Sequence, residues 1–306
     1  MAEYLSYLPE RLSQDEVCLV DPSDALHVRL RDDRRLVCRH LDSTAGAQSA
    51  GLAALVGHHV GFLSALAALG EPSVGWAAIL TPITQAADLR DVRISAMPRL
   101  DSEDADAILS LLNDLLTEDP DERLRRLRVR YAASTGQWFL VGTEQHGPEF
   151  LAHCPQRLLG QPLRDHPITG PDAGLLKRWF TEVQMALYAS DVNRRRALAG
   201  QPPVNGIWLH GAGPRPLAPD LVLPPLVGDD ILLRGVWEFL NASVVTTESL
   251  GGHTVCGKAP TETAWRLLVE GGLKRAILLA PSGPMVARRA RWHHKLRRLI
   301  KTESQT

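Results

Sequence analysis

The sequence is poor in cysteine. Its four cysteines, Cys18, Cys38, Cys154 and Cys256, are far apart along a chain of 306 residues. No two of them form a Cys-x-x-Cys pair, the spacing typical of zinc sites and dithiol redox centres. This usage fits free thiols in a reducing compartment better than a disulfide framework. We therefore expect a cytoplasmic protein.

Net charge is also nearly absent, because 34 basic and 35 acidic side chains leave a formal charge of −1. A protein so close to neutrality has no global attraction for nucleic acid or acidic lipid. The N-terminal residues have neither the basic nor the apolar region of a signal peptide, so none is expected. The most apolar stretch, 50–69, is interrupted by His58 and His59. It is predicted as a buried helix and not as a membrane span.

Common catalytic motifs are missing as well: the chain has no Gly-x-Ser-x-Gly, no His-Glu-x-x-His and no phosphate-binding Gly-x-x-x-x-Gly-Lys-Ser/Thr. These motifs place a nucleophile, a zinc ion or a nucleotide. The length and a hydrophobic content of 44% are ordinary for one large domain or two smaller ones.

What the sequence does contain is an organising stretch over 182–215. Apolar side chains at Trp179, Val183 and Leu187 recur at helical spacing. Gly200 and the two prolines that follow it are predicted to end this helix. A buried strand is then expected from Val204 to Leu209.

The strand runs into Gly211-Ala212-Gly213-Pro214, which is predicted as a turn with exposed backbone amides. Amides without side-chain cover can bind a phosphate group. The alternative is a tight turn that only leaves a buried strand.

Elsewhere the pattern predicts alternating strands and helices, the arrangement of an α/β protein with a parallel sheet in its C-terminal part. Strands are expected at 17–20, 76–80, 92–96, 127–132, 137–141, 244–247 and 275–280. Helices are expected at 47–69, 103–117, 230–240 and 261–270. A cationic amphipathic segment is expected from Arg288 to Lys301, and we interpret it as a solvated helix in preference to a nucleic-acid contact.

The organising stretch resembles a family signature. Asp191-Val192-Asn193, Arg196, Gly200, Pro203 and the run 205–213 (Asn-Gly-Ile-Trp-Leu-His-Gly-Ala-Gly) are similar to a segment of the archaeal-type cofactor-independent phosphoglycerate mutases. The start at Glu182 is closer still to bacterial RpfE-type regulatory proteins. The resemblance is strong over 172–215, fair from about Trp76 onward and poor elsewhere. Tyr188 and Ser190 stand where relatives commonly have histidine, and Asp191 stands in place of a proline.

This resemblance implies an alkaline-phosphatase-like fold. It also implies a phosphoryl transfer that uses two divalent metals, a serine nucleophile and Asp and His ligands. The closing Asp-x-x-Gly-His element of such enzymes is absent from the chain. Only Asp21, Ser23 and Asp24 are reminiscent of the opening element, and they lack its glycine. We therefore assign no catalytic residue, no metal site and no cofactor.

The resemblance also implies a candidate anion site. Its residues are Asn193, Arg196, Asn205, Gly211, Gly213 and Arg215. In this interpretation Arg196 offers a bidentate fork and the glycine amides support it. The alternative is that Asn193 and Asn205 bond to backbone and fix the corner between helix and strand.

Together these observations predict a remnant alkaline-phosphatase-like sheet, formed by 1–74 and 204–306, with an inserted α+β unit at 75–203. The function expected first is that of a catalytically degenerate, mutase-like protein with a regulatory or ligand-sensing role, and its ligand would be a small phosphorylated acid. The first alternative is an active metal-dependent mutase. The second is a protein that binds nucleic acid through its basic tail, which the near-zero charge disfavours.

Overall fold

A computed structural model describes most of the chain. The residues described are 12–14, 16–20, 36–40, 59–87, 90–218, 221, 223–246, 250–256, 258–270, 272–279 and 285–289. The chain forms two compact units. Residues 58–217 form one, called here the middle unit, and 1–57 with 218–306 form the other, called the terminal unit.

The middle unit is built around an antiparallel sheet with helices. Its elements are, in order, α1 (Val60–Leu69), β3 (Trp76–Ala87), β4 (Val92–Ala96), α2 (Ser102–Glu118), α3 (Glu122–Arg125), β5 (Leu127–Ala132), β6 (Gln137–Gly142), α4 (Pro155–Leu158), a 3-10 turn (Leu163–Asp165), α5 (Ala173–Ala189), α6 (Asp191–Leu198) and β7 (Gly206–Pro214). The strands β1 (Glu16–Val20) and β2 (Leu36–His40), which precede α1 in the chain, belong to the terminal unit.

Strand β3 is the centre of this sheet, because β4, β6 and β7 all pair with it in the antiparallel sense. Strand β5 pairs with β6 as an antiparallel hairpin. The apolar and basic alternation of β5 is that of a strand with one solvated face. Its basic side chains are exposed, whereas Leu127 and Val129 are buried.

The core of the middle unit lies between the sheet and helices α2 and α5. Helix α2 contributes Ile108, Leu112 and Leu116 at helical spacing, all with 0% of their surface exposed. Helix α5 contributes its own buried stripe, which includes Trp179 and Val183. Burial of each such side chain stabilises the fold by roughly 1.5–3 kcal/mol, so these two stripes hold the helices on the sheet.

Two predictions for the organising stretch were wrong. The single helix expected to run to Gly200 is two helices, because Ser190 ends α5 and its hydroxyl then caps α6. The strand expected to end at Leu209 continues to Pro214. The predicted turn at 211–214 is therefore part of β7.

The terminal unit contains a six-stranded sheet. Its elements are β1 (Glu16–Val20), β2 (Leu36–His40), β8 (Leu226–Val227), α7 (Ile231–Phe239), β9 (Thr254–Cys256), α8 (Lys258–Glu270), β10 (Arg275–Leu279) and β11 (Met285–Arg289). The strand order is β2-β11-β10-β1-β9-β8.

Strands β8, β9, β1 and β10 run parallel, which is the predicted sense of the sheet, but only β1 and β10 were predicted as strands. Strands β11 and β2 are antiparallel additions at one side. The strand predicted at 244–247 amounts to one isolated bridge between Val244 and Leu226. Arg288 and Arg289, expected to open the cationic helix, lie in β11, and the rest of that segment lies outside the described residues.

The predicted α/β class is confirmed, since the chain combines a mainly parallel sheet and an antiparallel one. The unit boundaries fall at 57/58 and 217/218, whereas the sequence placed them at 74/75 and 203/204. Helix α1 and strand β7, expected in the core formed by the chain ends, belong to the middle unit because both pack on β3. Among the described residues, no helix is long and apolar enough to cross a membrane.

Candidate functional site

Asn193 holds the corner between the two helices and β7. Its Oδ1 accepts from the amide of Val204 at 2.8 Å, and its Nδ2 donates to the carbonyl of the same residue at 2.8 Å. Nδ2 also donates to the carbonyl of Leu187, near the end of α5, at 2.8 Å. Val204 is fully buried. The side chain therefore satisfies backbone groups that would otherwise lie unpaired in the interior.

Asn205 makes a similar pair of hydrogen bonds from the connector, the segment 199–205 between α6 and β7. Its Oδ1 accepts from the amide of Gln85 at 2.6 Å, and its Nδ2 donates to the carbonyl of Gln85 at 2.8 Å. Gln85 belongs to β3, so the side-chain amide supplies one more rung to the pairing of β3 with β7. The amide group imitates the peptide group of a neighbouring strand.

A third asparagine, missed by the sequence analysis, completes the pattern. Asn113 in α2 accepts from the amide of Val129 at 2.9 Å and donates to its carbonyl at 3.1 Å. Val129 lies in β5, which pairs with β6 alone among the described strands. Asn113 thus covers part of a sheet edge, where unpaired backbone groups favour aggregation. Its sequence neighbourhood is that of an ordinary helix and gives no sign of this role.

Arg196 forms an ion pair with a buried carboxylate. Its side chain is 3% exposed, and Nη1 lies 2.9 Å from Oδ2 of Asp104, whose side chain is 5% exposed. The guanidinium Nε also donates to the carbonyl of Pro202 at 2.8 Å. The other carboxylate oxygen of Asp104 accepts from Arg195 at 2.9 Å. An anion could engage Arg196 only by displacing contacts that keep a buried charge paired.

Gly211 and Gly213 lie within β7 and not in a free turn. Ala77 pairs with Gly213 and Ile79 pairs with His210, so Gly211 and Ala212 together face one residue of β3. This extra residue is a β-bulge, and Gly211 takes the positive φ of 65° that such a position favours. Gly213 is buried. Sequence reasoning identified the glycines but could not separate a bulge from a turn.

Helix α1 packs closely against this bulge. A Cβ atom built on Gly61 would lie 2.5 Å from the carbonyl oxygen of Gly211 and 2.8 Å from that of Ala77. Real side chains do not approach so closely, so this crossing requires glycine. His59, just before α1, places Nδ1 2.9 Å from the carbonyl oxygen of Pro214.

His210 is a largely but not fully buried titratable group beside the bulge. Desolvation by burial lowers the pKa of its imidazole to about 4, so the ring is neutral at physiological pH. Its Nδ1 has no hydrogen-bond partner among the described residues. The sequence analysis gave this histidine no role.

Arg215 is the exposed member of the predicted set. Its amide donates to the carbonyl of Gly75 at 2.6 Å, and its Nη1 donates to the carbonyl of Pro72 at 3.0 Å. The guanidinium carbon lies 5.9 Å from the centre of the Phe62 ring, within range of a cation–π contact. Its remaining N–H groups make it the best placed of these residues to meet a ligand.

The predicted anion-binding residues therefore form two separate groups. Asn193, Arg196 and Asn205 surround the connector that enters β7, and the others lie at its far end. The nine residues of β7 span about 25 Å at the usual rise of a strand. One small acid cannot contact both groups.

The resemblance implies Asp and His ligands for two metal ions. Among the residues that the structure describes, no group of three or more His, Cys, Asp or Glu side chains could hold a metal ion. Asp21, Ser23 and Asp24 lie outside the described residues. His253 places Nδ1 2.7 Å from the carbonyl oxygen of Gly251. The described donor set does not fit a paired-metal centre.

Over a short segment the chain is similar to the cofactor-independent phosphoglycerate mutases. A stretch of 65 residues is 40% identical to the 2,3-bisphosphoglycerate-independent phosphoglycerate mutase of Methanothrix thermoacetophila. The match covers 21% of this chain and 17% of that protein. No protein-family model matches the chain.

Two solved structures align over much of the chain. A cofactor-independent phosphoglycerate mutase from Thermoplasma acidophilum aligns over 91% of this chain and 89% of its own, with 15% identity and a TM-score of 0.43. A Pyrococcus horikoshii protein aligns over 91% of this chain and 88% of its own, with 12% identity and a TM-score of 0.48.

Proposed function

We propose that this chain is a catalytically degenerate, phosphoglycerate-mutase-like protein of the RpfE regulatory type, with a role in sensing a small phosphorylated acid. The 65-residue match to a mutase supports the mutase-like part of this proposal. The regulatory part is supported by the resemblance of the stretch that begins at Glu182.

The observation that carries the proposal is the use of the signature's polar side chains. In Asn193 and Asn205, the side-chain oxygen accepts a hydrogen bond from a backbone amide and the side-chain nitrogen donates one to a backbone carbonyl. Arg196 forms an ion pair with the buried side chain of Asp104. Side chains used in this way stabilise the fold whether or not a reaction takes place, so a relative can retain all three after losing catalysis.

Arg215 is the proposed ligand contact. Arg215 is exposed at the end of β7, where its Nη1 donates a hydrogen bond to the carbonyl of Pro72. Arginine binds carboxylate and phosphate oxygens through a planar fork of donors. A phosphorylated three-carbon acid carries both kinds of oxygen.

The test is isothermal titration of 3-phosphoglycerate into the wild-type protein and into Arg215→Ala. We expect measurable binding to the wild type and a loss of about tenfold in the variant, the effect of removing one charged hydrogen bond. Arg194→Ala is the matched control, because Arg194 is an exposed arginine paired with Asp191. Absence of binding to the wild type, or equal losses in both variants, would contradict the proposal.

The alternative is an active mutase. The activity named for the Methanothrix protein favours it, as do two carboxylates, Asp229 and Asp230, that follow the parallel strand β8. Ligands often bind beyond the carboxyl ends of such strands. Asp230, however, caps α7 by accepting from the amide of Leu233 at 2.9 Å. A turnover assay with 3-phosphoglycerate and manganese separates the alternatives.

A further inference from the structure

Asn205 is followed directly by Gly206. In flexible peptides, asparagine before glycine is the sequence most prone to deamidation, because glycine has no side chain to hinder the backbone nitrogen. We infer that Asn205 is a latent modification site. The fold suppresses its deamidation, and the reaction, once it has occurred, removes a rung between β3 and β7.

The reaction needs only water. The backbone nitrogen of Gly206 attacks the side-chain carbonyl carbon of Asn205, and a C–N bond forms as the side-chain nitrogen leaves as ammonia. The product is a five-membered succinimide. Water then adds to one of its two carbonyl carbons and opens the ring, which leaves aspartate or isoaspartate at position 205. No electrons are gained or lost.

In the folded protein this attack is blocked. The carbonyl carbon of the Asn205 side chain must turn toward the nitrogen of Gly206. Its amide instead points at β3, held by the two hydrogen bonds of 2.6 and 2.8 Å to Gln85. Gly206 is buried and pairs with Ile83. Deamidation therefore requires β7 to detach from β3 at this end, which is a local opening event.

Two other asparagines provide an internal comparison. Asn193 and Asn113 also use their side-chain amides to hydrogen-bond backbone groups. The next residue in the sequence is Arg194 after Asn193 and Asp114 after Asn113. Those side chains hinder the attacking nitrogen. Of these three asparagines, Asn205 alone is followed by glycine, which leaves the attacking backbone nitrogen unhindered.

The modification has a structural consequence. Nδ2 of Asn205 donates to the carbonyl oxygen of Gln85 at 2.8 Å. A carboxylate in its place would set a negatively charged oxygen against that carbonyl and could not donate. Isoaspartate would also lengthen the backbone at the entry to β7. Either product leaves the Gln85 carbonyl without its present partner, and the change is not reversed on refolding.

The test compares deamidation of folded protein and of urea-unfolded protein at mildly alkaline pH. Trypsin isolates each of the three asparagines in a separate peptide, and the peptide that begins at Ala197 has Asn205 as its only asparagine. Mass spectrometry detects the gain that accompanies replacement of NH2 by OH. We expect Asn205 to react fastest in the unfolded chain and roughly tenfold or more slowly in the folded protein, in proportion to the open fraction.

Two variants complete the experiment. Gly206→Ala is expected to slow the reaction of the unfolded chain, and Asn205→Asp is expected to lower the midpoint of urea unfolding. Equal rates at Asn205 in folded and unfolded protein would overturn the protection by the fold. An unchanged rate in Gly206→Ala would overturn the mechanism, and an unchanged midpoint in Asn205→Asp would overturn the consequence.

Discussion

Arg196 and Asp104 form an ion pair inside the middle unit, with 2.9 Å between Nη1 and Oδ2 and almost no exposure of either side chain. Removing one member of a buried pair leaves the other charge poorly compensated, which costs about 3–5 kcal/mol. We expect Arg196→Met to lose about 3 kcal/mol of unfolding free energy in urea, because Arg195 still pairs with Asp104.

The control for this prediction is Arg194→Ala. Arg194 pairs with Asp191 on the surface, where both side chains are largely exposed. Such pairs contribute about 0–1 kcal/mol. A loss at Arg196 no larger than that at Arg194 would show that the buried pair is not a structural element.

Asn193→Ala tests the corner between α6 and β7. The change removes the partners of both backbone groups of Val204, which is fully buried. Each unpaired buried group costs roughly 1–3 kcal/mol, so the unfolding free energy should fall by a few kcal/mol. Gln184→Ala, on the exposed side of α5, should change it little. If both variants unfold at the same urea concentration as the wild type, the corner does not depend on this amide.

Gly61→Ala tests the crossing of α1 over the bulge. The added methyl group would lie 2.5 Å from the carbonyl oxygen of Gly211, so the helix must shift and the thermal midpoint should drop. Gly174→Ala is the matched control, because nothing lies within 4 Å of a Cβ at that helical position. Alanine there should stabilise by about 0.5–1 kcal/mol. Similar effects at the two glycines would contradict the close crossing.

We expect His210 to make the free energy of unfolding depend on pH. Its pKa is lowered by burial from 6.5 to about 4 in the folded state, so between these values the unfolded chain binds more protons. Stability contributed by this group is therefore complete above pH 6.5 and is lost as the pH falls toward 4. The loss approaches roughly 3 kcal/mol at the lower end of this range.

The measurement is urea unfolding at several pH values between 4.5 and 7.5 for the wild type and His210→Gln. We expect the slope of unfolding free energy against pH to be shallower in the variant, whatever its stability at neutral pH. Parallel slopes would mean that His210 is protonated in the folded protein as readily as in the unfolded chain.

Much of the fold could be predicted from local sequence patterns. The hairpin of β5 and β6, helix α2 and the parallel strands β1 and β10 follow from apolar periodicity. The short parallel strands β8 and β9 were not predicted. The break at Ser190 was missed because no glycine or proline marks it, although a serine can cap a new helix. The extension of β7 to Pro214 depends on pairing with β3, more than a hundred residues away in the chain.

The candidate site was harder to predict for a physical reason. An asparagine that binds a ligand and one that hydrogen-bonds to backbone groups cannot be told apart in sequence. Only the position of a distant partner such as Gln85 distinguishes them. The sequence analysis stated both alternatives for Asn193 and Asn205, and the contacts are those of the structural alternative. An anion-binding role for Arg215, Gly211 and Gly213 stays a prediction. For Asn113 the sequence contained no signal.

We propose that the chain retains the mutase signature as a structural element without the reaction. The most direct measurement is conversion of 3-phosphoglycerate to 2-phosphoglycerate by the full-length protein with manganese, in parallel with a sample treated with a chelator. We predict no conversion above the protein-free background in either sample. Conversion that depends on manganese and stops with the chelator would contradict this account and establish the active mutase.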